Sequence, residues 1–369
     1  MNNLHYITNH LSKLPRRSLA IVQLKQSITI LCSLLIACIA QSQDLHFSQF
    51  YNSPLTCNPA NTGFMPDVDY RIGGNYRKQW ASVPVPYKTM SFFGDAQVGR
   101  EKIANGWFGV GAVLLRDEAG SGALQSIKTY GSLAYHQVID ENKLISLGVQ
   151  VGMVQKSINT TKLTFDNMWN GKFFDIARPS GESFASTNTR YIDLNAGINY
   201  ATFPTENSYM NFGVSVQHIN TPRETFFSTT LSSGNPYDNR LARRYTAFFN
   251  GSFKLNDMVI VNPQMYASYM QRAMEVNAGV NMQYNVKGEE GGATQLIAGI
   301  YYRVQDAVIP MVGLKYKNTT ATFSYDATAS KLTAFNTMRG GSEISIIHTG
   351  IFNPSSRTPK NMRCTLPTF

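Results

Sequence analysis

Four stretches of this chain alternate apolar and polar residues almost without a break for about ten positions each, a period of two that only a β-strand satisfies. In the first, Ile145, Leu147, Val149, Val151 and Met153 make one face, and Ser146, Gly148, Gln150 and Gly152 the other. The pattern recurs with Ile192, Leu194, Ala196, Ile198 and Tyr200 against Asp193, Asn195, Gly197 and Asn199. It recurs again over 209–218 and 274–285. The polar faces are Asn, Gln, Ser and Gly, where a water-facing sheet would show Lys, Glu and Thr. Such faces suit the interior of a barrel, and a tilted strand of about ten residues crosses a bilayer.

Fourteen such segments are predicted: 69–80, 89–98, 107–116, 126–137, 143–156, 191–201, 208–219, 245–255, 258–271, 273–286, 294–303, 307–317, 319–326 and 342–349. Several are separated by only a few residues, as in hairpins. The fold class that follows is all-β, a transmembrane antiparallel up-and-down β-barrel of about fourteen strands. Long connections fall at 157–190 and 220–244, with turn parity left open. Tyr70, Trp80, Trp107, Tyr135, Tyr200, Tyr209 and Tyr284 recur near strand ends, where interfacial aromatic girdles are expected. Residues 43–68 lack alternation and carry Pro54, Asn58-Pro59, Gly63 and Pro66, so an extended segment with local turns is expected, either plugging the lumen or lying along the periplasmic rim. The barrel is assigned to 69–349 and a proline-bearing tail to 350–369.

Composition agrees. Charged residues are 15 % of the chain, against roughly 25 % for a soluble domain. The N-terminus reads as an export signal over 1–42. A basic stretch ends at Lys25, and Ile28 to Ala40 is almost wholly apolar but too short to span a bilayer as a helix. Cleavage after Ala40 or Ser42 fits. Leu35-Ile36-Ala37-Cys38 also resembles a lipobox, which makes lipidation at Cys38 the alternative. The leader holds Lys13, Arg16, Arg17, Lys25 and no acid, so the rest of the chain has 29 cationic against 23 acidic residues, a net +6. Those charges are dispersed, with no basic run interleaved with aromatics, which argues against nucleic-acid binding. Outer-membrane lipid is the expected surrounding.

Chemistry has few carriers. His46, His136, His218 and His348 lie on four distant segments, no Cys-x-x-Cys or His-x-x-x-His occurs, and no metal, cofactor or catalytic site is assigned. A barrel enzyme would need a close Ser–His pair that the sequence does not display. Gly109-Val110-Gly111 sits within a strand and is no nucleotide loop. Outside the leader only Cys57 and Cys364 remain, and closure of a barrel makes a disulfide between them geometrically feasible. On the first strand Arg71, Gly73, Asn75, Arg77 and Gln79 share a face. An Arg facing lipid near the midplane costs roughly 2–4 kcal/mol, so Arg71 and Arg77 are expected to point inward, with Asp193, Glu275 or Glu343 as partners.

The run His46-Phe47-Ser48-Gln49-Phe50-Tyr51-Asn52-Ser53-Pro54, followed by Asn58-Pro59-Ala60 and Gly63, resembles the mature start of the PorP/SprF family of the type IX secretion system. The likeness continues in order through Tyr76-Arg77-Lys78-Gln79-Trp80, Leu163-Thr164-Phe165-Asp166 and His218-Ile219-Asn220 to Gly340-Gly341-Ser342-Glu343-Ile344-Ser345. It implies a non-enzymatic outer-membrane protein that works beside the periplasmic secretion ring. It also implies support for export or surface anchoring of cargo adhesins bearing C-terminal sorting domains, and for gliding motility where that exists. The residues nominated for partner contact are Phe47, Pro54, Asn58, Pro59, Arg71, Arg77, Gln79 and Trp80. Two departures stand out. The chain ends Cys364-Thr365-Leu366-Pro367-Thr368-Phe369 where the family often has Cys-Pro-x-Phe, and Cys57 occupies a place where a larger apolar residue is usual. A passive outer-membrane channel or hydrophobic-solute transporter is the alternative with the same architecture.

Overall fold

The computed structural model describes residues 47–80, 86–100, 102–103, 105–120, 124–182, 184, 186–226, 239–286, 292–330, 333, 339–352 and 367. The leader with Cys38, and Cys364 in the tail, lie outside the described residues.

Period-two patterning becomes fourteen strands in chain order. They are β1 (Tyr70–Gln79), β2 (Tyr87–Val98), β3 (Gly106–Ala119), β4 (Leu124–Asp140), β5 (Lys143–Ser157), β6 (Asn188–Thr205) and β7 (Ser208–Gln217). The second half is β8 (Arg244–Asn256), β9 (Val259–Met270), β10 (Ala273–Asn285), β11 (Thr294–Arg303), β12 (Ala307–Tyr316), β13 (Thr319–Thr328) and β14 (Arg339–Gly350). Each pairs with its sequence neighbours, and β1 closes on β14 in antiparallel register, Tyr70 opposite Gly350 and Gln79 opposite Gly341. Closure leaves no strand edge to aggregate. Among the described residues no helix is long and apolar enough to cross a membrane; the strands do the crossing.

The two faces separate cleanly. On β5, Leu147, Val149, Val151 and Met153 are 52–58 % exposed outward, while Ser146 and Gln150 are 0 % and 4 % exposed inward. The outer band is therefore apolar and meets lipid, and the inner face is polar. Prolines mark the weak points of the wall. Pro310 has no N–H to donate, and the β12–β13 ladder omits Ile309 and Pro310 between Val308 and Met311.

Strand parity resolves the loops. Connections after odd-numbered strands lie at one end, and those after even-numbered strands lie at the other, with residue 69 and residue 351. Both long connections, 158–187 after β5 and 218–243 after β7, fall at the end opposite the chain's entry and exit. That is the arrangement of an outer-membrane barrel with short periplasmic turns and long extracellular loops.

The segment before β1 enters the lumen and folds into short turns, one of them at the expected Asn58-Pro59. Phe50–Asn52 is a 3-10 turn, Pro54–Cys57 (α1) a single α-helical turn, and Pro59–Asn61 a second 3-10 turn. Pro54 and Pro59 each sit at a first helical position, where the missing N–H costs nothing. Asn58 caps the last turn, its side-chain oxygen accepting from the Ala60 N–H at 2.8 Å. Phe47 packs with Leu55, Phe93 and Tyr130, and Phe64 with Trp107, Leu144 and Tyr209.

Candidate functional site: the lumenal plug and its anchorages

Residues 47–66 run down the lumen from the long-loop end to the end bearing the termini, and they are tied at both. At the outer end the ties are charged. Glu343, wholly buried, accepts the Ser48 N–H at 2.8 Å and the Gln49 N–H at 3.0 Å, one on each carboxylate oxygen. Asp326 accepts the Ser48 hydroxyl at 2.8 Å. Arg77 reaches both acids, at 2.7 Å to Asp326 and 3.2 Å to Glu343, and Arg303 pairs with Asp326 as well. Asn277 donates to the Ser48 carbonyl at 3.1 Å, and Gln49 donates to Ser324 at 2.9 Å. Buried charges persist only when paired and hydrogen-bonded, and here two cations and two acids share one serine.

At the inner end the ties go largely to backbone. Asn58 donates to the Ile198 and Val214 carbonyls, each at 3.1 Å, thereby bridging β6 and β7. Trp107 donates its indole N–H to the Gly63 carbonyl at 2.9 Å. Asp95 accepts the Gly63 N–H at 2.8 Å and is itself held by Arg71 at 2.7 Å. The wall makes room with glycines. A Cβ at Gly109 would lie 1.9 Å from the Thr62 carbonyl, at Gly148 2.3 Å from the Ala60 nitrogen, and at Gly197 2.0 Å from the Asn58 amide. Glycine in a strand often marks the close approach of another backbone.

The expected inward arginines are confirmed, but most of their partners differ. Glu343 does pair with Arg77. Asp193 instead accepts from Tyr130 at 2.8 Å and lies 2.9 Å from the His218 ring nitrogen. The charges closest to Arg71 and Arg77 are Asp95 and Asp326, on strands where the expectation placed none. Trp107 and Tyr209 are not girdle residues; they are buried inside against Phe64. Tyr200 and Tyr284 do face outward.

Of the nominated contact residues, Phe47, Pro54, Asn58, Pro59, Arg71 and Arg77 converge on the plug, and what they touch is the barrel's own wall. Gln79 and Trp80 sit apart from it at the long-loop rim, where Trp80 makes an edge contact with Tyr87 at 5.0 Å. Cys57 is a buried thiol beside Phe248 and Tyr266. Burial pushes that thiol up to about 12, so it stays protonated and unreactive.

One close Ser–His pair does exist. The Ser146 hydroxyl is 2.7 Å from His136 Nδ1, and the other ring nitrogen donates to the Thr62 carbonyl at 2.8 Å. Both side chains are fully buried, and His136 is stacked on Trp107 at 4.9 Å. The third partner is a plug carbonyl in place of an orienting carboxylate, so the pair anchors the plug. The signals that could have found the inner cradle were Gly148 and Gly197 on the polar faces of their strands.

A family model described as "Type IX secretion system membrane protein PorP/SprF" matches residues 39–347. The chain belongs to the PorP/SprF family. No curated protein sequence matches it. Among solved structures, this PorP/SprF barrel is similar to the Ralstonia pickettii toluene transporter TbuX, at 10 % identity over 82 % of this chain and 94 % of that one, TM-score 0.47. A Pseudomonas aeruginosa FadL homologue aligns at 11 % identity over 80 % and 93 %, TM-score 0.46. The P. putida toluene transporter TodX aligns at 12 % over 82 % and 95 %, TM-score 0.44. Family and fold together place the PorP/SprF protein in the outer membrane as a component of type IX secretion.

Proposed function

We propose that this barrel is a non-enzymatic, partner-binding member of the secretion apparatus. In that role it works beside the periplasmic ring and supports the export or surface anchoring of particular cargo adhesins with C-terminal sorting domains, and gliding where the organism glides. The observation that carries the reading is the plug. A passive channel or solute transporter needs lumenal groups that a solute can wet or touch, whereas here residues 48–63 take up buried polar groups on both sides of the lumen. A barrel so filled offers partners its two rims: short turns toward the periplasm and the 158–187 and 218–243 loops outside.

Deleting the gene in a strain without family paralogues should remove specific adhesins from the cell surface, read by surface proteomics, and tagged protein should co-purify with ring components. Normal surface display in such a strain would sink the proposal. Large, stable conductance of the intact protein in planar bilayers would favour the channel reading instead.

A further inference from the structure

Near the long-loop end, the lipid-facing side of β1–β3 carries three cations. Lys78 on β1 and Lys88 on β2 are direct cross-strand partners, so their side chains leave the same face about 5 Å apart. Like charges placed opposite each other destabilise a sheet. Neither ammonium has an ion-pair partner among the described residues. Arg116 on β3 stands one rung lower, opposite Met90. That rung is otherwise apolar toward lipid, with Ile344, Tyr76 and Met90 on one side and Ile127 on the other. The guanidinium is 54 % exposed, and Glu118 lies 3.9 Å from it, beyond hydrogen-bond reach. Glu118 also stands opposite Lys88, so the group holds three cations and one acid.

Strand geometry sets its height. Below the cations the wall is apolar, with Phe92, Leu114, Val110 and Phe108 each 40–59 % exposed. Lys88 is ten positions from Val98 at the opposite end of β2. At about 3.3 Å per residue and a tilt of about 40°, that separation is about 25 Å along the membrane normal, the height of the apolar band of an outer-membrane barrel. The three cations therefore stand where the hydrocarbon of the outer leaflet ends and its headgroups begin. Their neighbours along the upper rung, Tyr325 and Ser342 on one side and Gln125 on the other, are uncharged. The positive charge is local to β1–β3.

We infer that the outer face of β1–β3 binds a phosphate-bearing lipid of the outer leaflet, of the lipid A class, with its phosphates among Lys78, Lys88 and Arg116 and its acyl chains over Met90, Phe92 and Leu114. A phosphate between the lysines removes their repulsion, and the guanidinium adds charge-assisted hydrogen bonds. A free anion would gain these contacts without the apolar ones, and an acidic protein segment would have to displace lipid to reach Arg116. The site lies on the outside of the wall and is independent of the export role and of the plug.

The test is native mass spectrometry of the full-length protein in detergent, titrated with diphosphorylated lipid A. One saturable adduct is expected. Dephosphorylated lipid A should bind about tenfold more weakly or worse, since it offers the cations nothing. Millimolar inorganic phosphate should leave the lipid A adduct in place. The triple change Lys78→Gln, Lys88→Gln and Arg116→Gln should weaken lipid A by about tenfold or more, whereas Lys143→Gln, at the opposite rim, should not weaken it. Lipid A should raise the unfolding temperature of the parent and not that of the triple variant. Absence of a saturable adduct, equal binding of the two lipids, full retention by the triple variant, or displacement by inorganic phosphate overturns the site. A triple variant that keeps lipid A but loses co-purification of a partner protein also overturns it and assigns the patch to that protein. The comparison of the two lipids needs no variant, so it decides the matter if the triple change does not fold.

Discussion

The two ends of the plug are held by opposite means. Around Ser48 the wall supplies charges: Arg77, Arg303, Asp326 and Glu343, none more than about 4 % exposed. Around Asn58 to Gly63 it supplies mainly absence, namely glycines, together with carbonyls, one indole N–H and a single ion-paired carboxylate, Asp95. The charged end depends on electrostatic balance and can fail through a single unmatched side chain. The glycine end depends chiefly on excluded volume, so adding a side chain there is the change that displaces it. A plug held mainly by shape at one end and by charge at the other is expected to loosen first at the charged end.

The sharpest way to break this comparison is to fill the seat. Gly148→Leu puts a side chain where the Pro59–Ala60 backbone runs, so residues 58–63 should leave the wall altogether. The barrel should persist by heat-modified gel mobility, while single-channel recording shows a conductance the parent lacks. A plug still protected from protease would show that the cradle yields.

Next in size is Arg77→Ala. It leaves Glu343 without its cation in the interior and Asp326 with Arg303 alone, and removing one member of a buried ion network costs about 3–5 kcal/mol. Denaturant unfolding should report that loss, with amide exchange rising at residues 48–52 and remaining slow at 58–63. The double change Arg77→Met with Glu343→Leu should recover part of it, because an apolar pair replaces charges at little cost. Uniform exchange along the whole plug would mean that its two ends are one cooperative unit.

Trp107→Phe is milder. It keeps the ring stack on His136 but leaves the Gly63 carbonyl without its indole donor, a loss of about 1–3 kcal/mol by the same unfolding measurement.

The smallest effect is a reporter more than a perturbation. The Cys57 thiol is pushed up to about 12 by burial, above the ordinary value of about 8.5. The folded protein therefore keeps the thiol proton in a range where the unfolded chain loses it, and that contribution to stability is present below the ordinary pKa and lost as pH rises toward 12. Peptide-mapped alkylation of Cys57 should be slow at pH 8 in the parent and in Arg77→Ala, and fast in Gly148→Leu. Fast labelling in Arg77→Ala would tie Cys57 to the charged end.

Much of the architecture was legible in the residues themselves. Alternation is a local property, so strand number, the outward set Leu147 to Met153 and the inward direction of Arg71 and Arg77 could all be read without knowing any contact. The ordered motifs from Phe47 to Ser345 carried the family. The aromatic girdle was only half legible, because Trp107 and Tyr209 obey the same end-of-strand spacing as Tyr200 while facing the other way. Their direction depends on Phe64 arriving inside, which no period reveals.

The sequence by itself therefore determined a membrane barrel of fourteen strands with a polar interior, since each strand reports its own two faces. Only the tertiary structure decided which charges meet. Ser48 finds Asp326 across 278 residues and Arg77 finds Glu343 across 266, and such pairings exist only after β1 has closed on β14. It also decided that residues 47–66 fill the lumen. The physical reason is the same in each case: alternation is written into neighbouring residues, whereas a plug and its anchors are joined by barrel closure.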